Sequence, residues 1–420
     1  MGKLEISKEV LELSEKVEKE LAPLFKKCDQ ICFNNSKKVL DAFIENEVSA
    51  NDFCGTNGYG YNDIGRDKID RIFSEVLGAE DALVRGQFVS GSHALTVCLF
   101  AMLRPGDVML SITGTPYDTL LEVIGIREND SSLKSFGIGY EQVDLIDNDT
   151  FDYEKIEKVL RSKKIKLIEI QRSKGYSSRK SITTSQIKEV VDVIRKIDKD
   201  VIIMVDNCYC EFVEEITPLE VGADIMVGSL IKNLGAGVVP NGGYIAGKKE
   251  LVYLASERLA VPGEGKDVGA TLDMNRCFLQ GIYMAPSVVN ASVKTAIFAG
   301  KMLEELGFKV EPKYISELVD LLKSKEINST QGADIFAKLI KENRSPLKIK
   351  EETGATLIND EDKIRQLVLE VISFNPTLPS DFKAGKTRAQ GFVMGQIMRK
   401  TGGKINPAIA NKIIVEELNK

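Results

Sequence analysis

The stretches VIIMVDNCYCEF (201–212) and ADIMVGSLIKNLGAG (223–237) decide how this chain reads. Each opens on a short apolar run, the pattern of a strand buried on both faces. The first run ends on Asp206. The second passes through Ser229 to Lys232, which has no other charge for several residues on either side. A lysine on a solvated helix usually sits among other charges, so an isolated amine one strand after a carboxylate points to chemistry.

Outward from these runs, strand-like and helix-like segments alternate. ALVRGQFVS (82–90) reads as a strand and SHALTVCLFAML (92–103) as an apolar helix after a glycine turn. RPGDVMLSI (104–112) returns as a strand, and YDTLLEVIGI (117–126) follows as a helix. IKLIEIQRS (165–173) is a strand, TTSQIKEVVDVIRKID (183–198) a helix with a threonine N-cap, and GGYIAGKK (242–249) a further short strand. Upstream, residues 1–50 read as helical, and a loop rich in glycine and tyrosine leads into a helix over 67–77. This alternation predicts an α/β fold with a mainly parallel sheet wrapped by helices. Ligands of such sheets bind at the carboxyl ends of the strands, where Asp206 and Lys232 fall.

From about Tyr314 the period changes. ISELVDLLKSK (315–325), GADIFAKLIKEN (332–343), DEDKIRQLVLEVISF (360–374), GKTRAQGFVMGQIMRKT (385–401) and PAIANKIIVEELNK (407–420) all read as helices. Ile364, Leu367, Val368, Val371 and Ile372 recur at helical spacing as one apolar stripe. Two domains are expected, an α/β domain over 1–313 and an all-helical domain over 314–420.

The 420 residues, 43% hydrophobic and 28% charged, suit a globular chain, and the net charge of −6 gives no global reason to bind nucleic acid or an anionic membrane. No apolar run is long enough to span a bilayer. The N-terminus lacks a signal-peptide core, and Ile6 stands where a myristoylation pattern needs Ser or Thr, so a cytoplasmic protein is expected. Seven cysteines, most within apolar stretches, read as reduced and packed thiols, with Cys208 and Cys210 alternating along a strand end. With one histidine and no ribbon spacing, no metal site is expected.

The Asp206 and Lys232 pair suits pyridoxal 5'-phosphate. That cofactor takes a lysine amine on its aldehyde and a carboxylate that keeps its ring nitrogen protonated. In SGSHAL (90–95), Gly91 and Ser92 offer backbone amides at a helix N-terminus, where an anion is favoured. Ser229 can add a hydroxyl, and Tyr117 in SITGTPYDTL (111–120) a ring to stack on the cofactor. Singly these are common residue types in common places, but their order along the chain is specific. His93 directly follows the phosphate turn, where it either touches the cofactor or packs as a helix N-terminal residue. Arg172 and Arg179 in QRSKGYSSRK (171–180) either bind the cofactor's phenolic oxygen or a substrate carboxylate, or are solvated loop arginines.

The segments YGYNDIGRDKIDRIF (59–73), RGQFVSGSHAL (85–95), LRPGDVMLSITGTPYDTL (103–120), IQRSKGYSSRKS (170–181), VDNCYCEFVE (205–214) and GSLIKNLGAGVVPNGGYIAG (228–247) carry a resemblance. Over about 50–310 the chain resembles the fold-type-I pyridoxal phosphate enzymes of cysteine and methionine metabolism. Within them it is similar to the aluminium-resistance branch, also described as cystathionine beta-lyase-like or methionine gamma-lyase-like. The resemblance implies that Lys232 forms the covalent bond to the cofactor and Asp206 pairs with the ring nitrogen. It implies that Gly91, Ser92 and Ser229 hold the phosphate and Tyr117 stacks. It also implies that Tyr59 or Tyr61 reaches a neighbouring subunit's phosphate in a homodimer or tetramer. The expected activity is carbon–sulfur elimination from a small sulfur-containing amino acid.

These families end in a small α+β domain that supplies an arginine for the substrate carboxylate, and this chain departs from that pattern. Its last hundred residues resemble the helical tail of the B subunit of tRNA-dependent Asp/Glu amidotransferases, shared with YqeY-like proteins. NPTLPSDFKAGKTRAQGFVMGQIMRKTGGKINP (375–407) is the most specific part. Lys383, Lys386, Arg388, Arg399, Lys400 and Lys404 gather positive charge on one helical hairpin, with Gly385, Gly391 and Gly395 open to close approach. Such a face either meets the phosphates of tRNA or is a solvated basic surface. The competing function is therefore a tRNA-binding or amidotransferase-associated protein carrying a pyridoxal fold of reduced or lost activity.

Overall fold

The computed structural model describes residues 6–147, 149–177, 179–307, 312–324, 326–355, 360–383, 388–401 and 405–419. It divides into two compact units, Met1–Met302 and Leu303–Lys420.

The first unit begins with two helices, α1 (Lys8–Glu45) and α2 (Ile64–Leu77), followed by β1 (Asp81–Arg85) and α3 (Gly91–Met102). Then come β2 (Val108–Ser111), α4 (Asp118–Ile124), β3 (Gly139–Gln142), α5 (Tyr153–Ser162), β4 (Leu167–Gln171) and α6 (Thr184–Ile197). The strands β5 (Ile202–Asp206), β6 (Ile225–Ser229) and β7 (Gly243–Gly247) precede α7 (Lys249–Leu259) and α8 (Asn275–Glu305). One seven-stranded sheet orders them β1-β7-β6-β5-β4-β2-β3. The alternation read from sequence therefore holds, and the sheet is mainly parallel. The exception is β7, antiparallel to both of its neighbours. The strand expected over 82–90 ends at Arg85, because the chain turns there to place a serine cap ahead of α3. The short strand β3 and the helix α5, neither of them read from the sequence although the helical periodicity of α5 is strong, complete the alternation.

Two-residue periodicity sorts the strand residues onto two faces. Ile202 and Met204 on β5, Ile225 and Val227 on β6 and Leu167 on β4 pack with α3 and α7. Ile203 and Val205 face α5 and α6, while Met226 and Tyr244 face α1, α2 and α8. By the same alternation Glu169, Gln171, Asp206 and Ser229 lie on the α3 face at or near the carboxyl ends of their strands. Each fully buried Ile or Val contributes roughly 1.5–3 kcal/mol.

A buried ion pair fastens α2 to β1. Arg85 donates to both oxygens of Asp70 at 2.7 and 3.0 Å, and the Val84 amide donates to the same carboxylate at 2.9 Å. Removing one partner of such a pair leaves an uncompensated buried charge. Asp70→Ala is expected to lower unfolding stability by about 3–5 kcal/mol in a denaturant titration. A loss below about 1 kcal/mol, the range of an exposed pair, would show the pair to be dispensable.

In the second unit α9 (Pro312–Lys323), α10 (Ser329–Glu342) and α11 (Pro346–Thr353) share a core that includes Leu318, Leu321, Ile335, Leu339 and Ile349. The helices α12 (Glu361–Ser373), α13 (Leu378–Lys383), α14 (Arg388–Lys400) and α15 (Pro407–Leu418) share a second core. Ile364, Val368 and Val371 of the stripe are buried in it, with Leu367 and Ile372 at its margin. Asn328 caps α10 in a box with Gln331, and the Asp360 carboxylate accepts from the Lys363 amide at 3.0 Å to start α12. No helix among the described residues is long and apolar enough to cross a membrane.

Candidate active site

The register brings the first contact together. Arg85 at the end of β1 pairs with Gly243, and Gly243 pairs with Ser229 at the end of β6. The loop after β1 thus reaches the strand that carries Ser229. A Cβ on Gly91 would lie 3.0 Å from the Ser229 Cβ and 3.4 Å from the Cys208 Sγ. A side chain there would press on β6, so glycine suits this close start of α3. Ser90 caps that helix by accepting from the His93 amide at 3.1 Å, and its carbonyl takes the Ala94 amide. The Gly91 and Ser92 amides are left as the first-turn donors of an anion seat. The Ser92 hydroxyl meets that of Thr119 at 2.7 Å.

His93 lies beside this seat. Its Nδ1 accepts from the Val89 amide at 3.2 Å, its ring stands edge-on to Phe88, and burial lowers its pKa. A neutral ring fixed by its own loop fits the packing role better than a cofactor contact.

Tyr117 stands at the start of α4, where its amide donates to Gln171 Oε1 at 2.6 Å. Its ring lies 5.6 Å from that of Tyr176, with the hydroxyls 3.4 Å apart. The Tyr176 hydrogen bond raises the Tyr117 pKa, burial adds to this, and the Lys232 charge pulls it back.

Asp206 is buried, and its Oδ1 accepts from the Cys208 amide at 3.0 Å. Burial raises its pKa, while the Cys208 hydrogen bonds and the Lys232 and Arg179 charges oppose the rise. Lys232 is half-buried, with Nζ 4.1 Å above the centre of the Tyr209 ring. Burial pushes its amine pKa down, but Cys208, Tyr209 and Asp206 outweigh burial and raise it. Tyr209 itself holds φ at +68°, a strained value for a residue with a side chain.

The two loop arginines are not solvated. Arg172 is buried and donates to the Ile182 carbonyl, Asn207 Oδ1 and Glu214. These partners occupy its guanidinium, and its burial excludes the solvated alternative. Arg179 is also buried, donating to the carbonyls of Gln171, Ser173 and Lys180, and its charge reaches Glu169 and Asp206. Tyr59 and Tyr61 are exposed on their loop. That loop is held by buried Arg66, which donates to the Gly58, Gly60 and Asp267 carbonyls.

Reading by motif misses Cys208, Tyr209, Gln171, Tyr176 and Glu169. Cys208 and Cys210 sit in the turn beyond β5, not along a strand; of the seven thiols, expected to be mostly packed, Cys54 alone is exposed. Glu169 left a signal, a carboxylate at the centre of the apolar strand LIEIQ. Its Oε2 accepts from Ser111 at 2.9 Å, while its Oε1 has no partner. Burial first and the Asp206 charge second push its pKa up to about 7, against an ordinary 4.5. A carboxyl raised in this way favours the fold fully below its unfolded value, and that contribution is lost as pH climbs through the folded value. The parent is therefore expected to lose melting temperature between pH 4.5 and about 7, and Glu169→Gln to lose less of it. Equal slopes for the two would show that Glu169 ionises normally.

In the second unit Lys383, Arg388, Arg399 and Lys400 are exposed, and Lys400 pairs with Glu370 at 2.6 Å. Lys386, Lys404 and Gly385 lie outside the described residues. A Cβ on Gly391 or Gly395 meets nothing within 4 Å among the described residues, so the helix is open at both glycines.

The model of the methionine gamma-lyase family matches residues 10–355, a wider span than the 50–310 legible from motifs. The chain is 44% identical over 326 residues to the uncharacterized protein YnbB of Bacillus subtilis, with 77% of each chain covered. A solved carbon-sulfur lyase involved in aluminum resistance from Clostridium novyi NT is 46% identical, with a TM-score of 0.70 and 73% of each chain covered. A 112-residue stretch is 41% identical to the B subunit of the aspartyl/glutamyl-tRNA(Asn/Gln) amidotransferase of Clostridium botulinum. That stretch is 27% of this chain and 24% of the amidotransferase chain, so this protein spans about a quarter of that relative.

Proposed function

We propose, since the chain belongs to the methionine gamma-lyase family, that it binds pyridoxal phosphate and releases a thiol from a sulfur-containing amino acid. The observation that carries this reading is the meeting of Gly91 with Ser229 beside Cys208, at the strand ends that also bear Asp206 and Lys232. The residues present fit the group. The Gly91 and Ser92 amides and the Ser229 hydroxyl suit its phosphate, Asp206 its ring nitrogen, Tyr117 its ring face and Lys232 its aldehyde. When bound, the cofactor supplies an electron sink for the charge left on the substrate's alpha carbon.

The remaining chemistry belongs to the chain. Lys232 Nζ would hold the aldehyde, and as a free amine it would serve as general base for the substrate's alpha proton. The Asp206 carboxylate would keep the ring nitrogen protonated, and its burial would strengthen that attraction. Tyr209 flanks the Lys232 amine and limits where it swings. Beside them a recess of about 360 Å³, walled by Val213, Ile231, Val288 and Val293, offers apolar surface next to the lysine. The active unit in this reading is a cytoplasmic homodimer or tetramer, in which exposed Tyr59 or Tyr61 reaches the partner's phosphate. Reconstituted protein should release ammonia, a 2-oxo acid and the sulfur leaving group, a thiol from cystathionine or methionine and hydrogen sulfide from cysteine. A coloured holoprotein that releases the sulfur leaving group from none of them overturns the lyase reading.

The exposed Arg388 and Arg399 and the likeness to the amidotransferase chain favour a second role, tRNA binding by the second unit. The full chain is expected to shift tRNA in a gel, with affinity falling steeply as salt rises. Arg388→Ala with Arg399→Ala should flatten the salt slope by about one for each phosphate no longer neutralised. No shift at low salt removes this role.

A further inference from the structure

Behind Lys232 lies a second carboxyl that the proposed reaction does not use. Glu211 follows β5 in the turn after Asp206 and is only 3% exposed. Its Oε1 accepts from the Tyr244 hydroxyl at 2.8 Å, while its Oε2 is buried without a partner. Tyr244 is fully buried on β7. Space for the pair comes from Gly228, the residue before Ser229. A Cβ there would lie 2.6 Å from Glu211 Oε1 and 2.5 Å from Tyr244 Cε1. Strand alternation puts Gly228 and Tyr244 on the sheet face opposite Asp206. Asn233, the residue after Lys232, donates its side-chain amide to the Glu211 carbonyl at 2.9 Å and ties the two turns together.

Leaving a carboxyl oxygen buried without a donor costs about 1–3 kcal/mol, more when it is charged. Among the described residues the fold tolerates that cost at two carboxyls, Glu169 on one face of the sheet and Glu211 on the other. The titratable groups facing Glu211 are Tyr244 on β7, Asp206 and Cys208 at the end of β5, and Lys232 after β6. Cys210 also feels its charge, along with those of Arg172 and Glu214. Burial pushes the Glu211 pKa up to about 7, the Tyr244 hydrogen bond opposes the rise, and Asp206 adds to it. The carboxyl therefore changes charge near neutral pH.

We propose that Glu211, aligned by Tyr244 in the gap left by Gly228, is a positioning residue that sets the protonation of the Lys232 nitrogen from the sheet face opposite Asp206. The proposal rests on the reading of Lys232 as the cofactor-binding lysine. A carboxylate nearby favours the charged form of that nitrogen, and a neutral group in its place does not. Glu211→Gln keeps the shape and the acceptor for Tyr244 but removes the charge. Tyr244→Phe removes the donor, so Glu211 stays neutral to higher pH and acts less.

Two measurements on the full chain test this. In protein reconstituted with pyridoxal phosphate, the pH midpoint of the bound cofactor's colour change is read by absorbance. Glu211→Gln should move it down by about one unit or more, and Tyr244→Phe should move it down by less. In protein without cofactor, the pH midpoint of Lys232 labelling by an amine-acylating reagent, read by mass spectrometry, should fall for Glu211→Gln and stay with the parent for Tyr244→Phe, because at the alkaline pH where the amine titrates Glu211 is charged with or without that hydroxyl. Midpoints that coincide with the parent in both variants overturn the proposal. A parent that takes up no coloured cofactor overturns the lyase reading instead, and the labelling midpoints then decide this one alone. Should Glu211→Gln fail to fold by circular dichroism, Tyr244→Phe carries the comparison through the colour change.

Discussion

Lys232→Ala is expected to leave a protein in which borohydride fixes no cofactor to the chain, whereas the parent, reconstituted with pyridoxal phosphate, is yellow and is fixed. The expectation comes from the setting of the amine. Lys232 is half-buried, faces the Tyr209 ring at 4.1 Å and has Cys208, Tyr209 and Asp206 to answer its charge. An amine held this way gains a covalent partner when an aldehyde enters, and alanine offers none. Turnover should fall with the bond. Loss of the general base alone removes about 10²–10⁴-fold, and loss of the covalent anchor adds to that. Absorbance before and after borohydride, with mass spectrometry of the peptide bearing residue 232, checks both. A parent that stays colourless after reconstitution sinks the pyridoxal reading, and a variant that is still fixed at another lysine removes Lys232 from its role.

Asp206→Asn is expected to separate binding from chemistry. The carboxyl is 5% exposed at the end of β5, where burial opposes its charge. A protonated ring nitrogen would supply the missing counter-charge, and asparagine cannot keep that proton in place. Turnover should fall by about 10²–10³-fold, the scale seen when one preorganised electrostatic partner is lost. Cofactor retention should change far less, because the phosphate seat at Gly91, Ser92 and Ser229 is untouched. Equilibrium dialysis beside a turnover assay distinguishes the two effects. Equal turnover in variant and parent would reduce Asp206 to a strand-end cap that holds the Cys208 amide.

The sequence by itself determined whatever depends on neighbours a few residues apart. The continuous apolar runs in IIMVD and IMVGS set the two buried strands that end on Asp206 and Ser229. Period 3.6 in DKIRQLVLEVIS set α12, and the order of glycine-serine turn, tyrosine, aspartate and isolated lysine marked Lys232 as the candidate. The tertiary structure decided the rest. The antiparallel direction of β7 depends on a strand far upstream as much as on its own residues, because β1 pairs with it through Ala82 and Ala246. That pairing sets the register Arg85–Gly243–Ser229 and so the close approach of Gly91 to Ser229. No local pattern encodes a register between strands so far apart, since any shift by two keeps the same faces. The roles of charged groups were equally hidden. Arg172 and Arg179 look alike in QRSKGYSSRK, yet Arg172 is held by Asn207 and Glu214 while Arg179 lies in the field of Glu169 and Asp206. What a charge does is set by its burial and its partners, and those come from segments that only folding brings beside it.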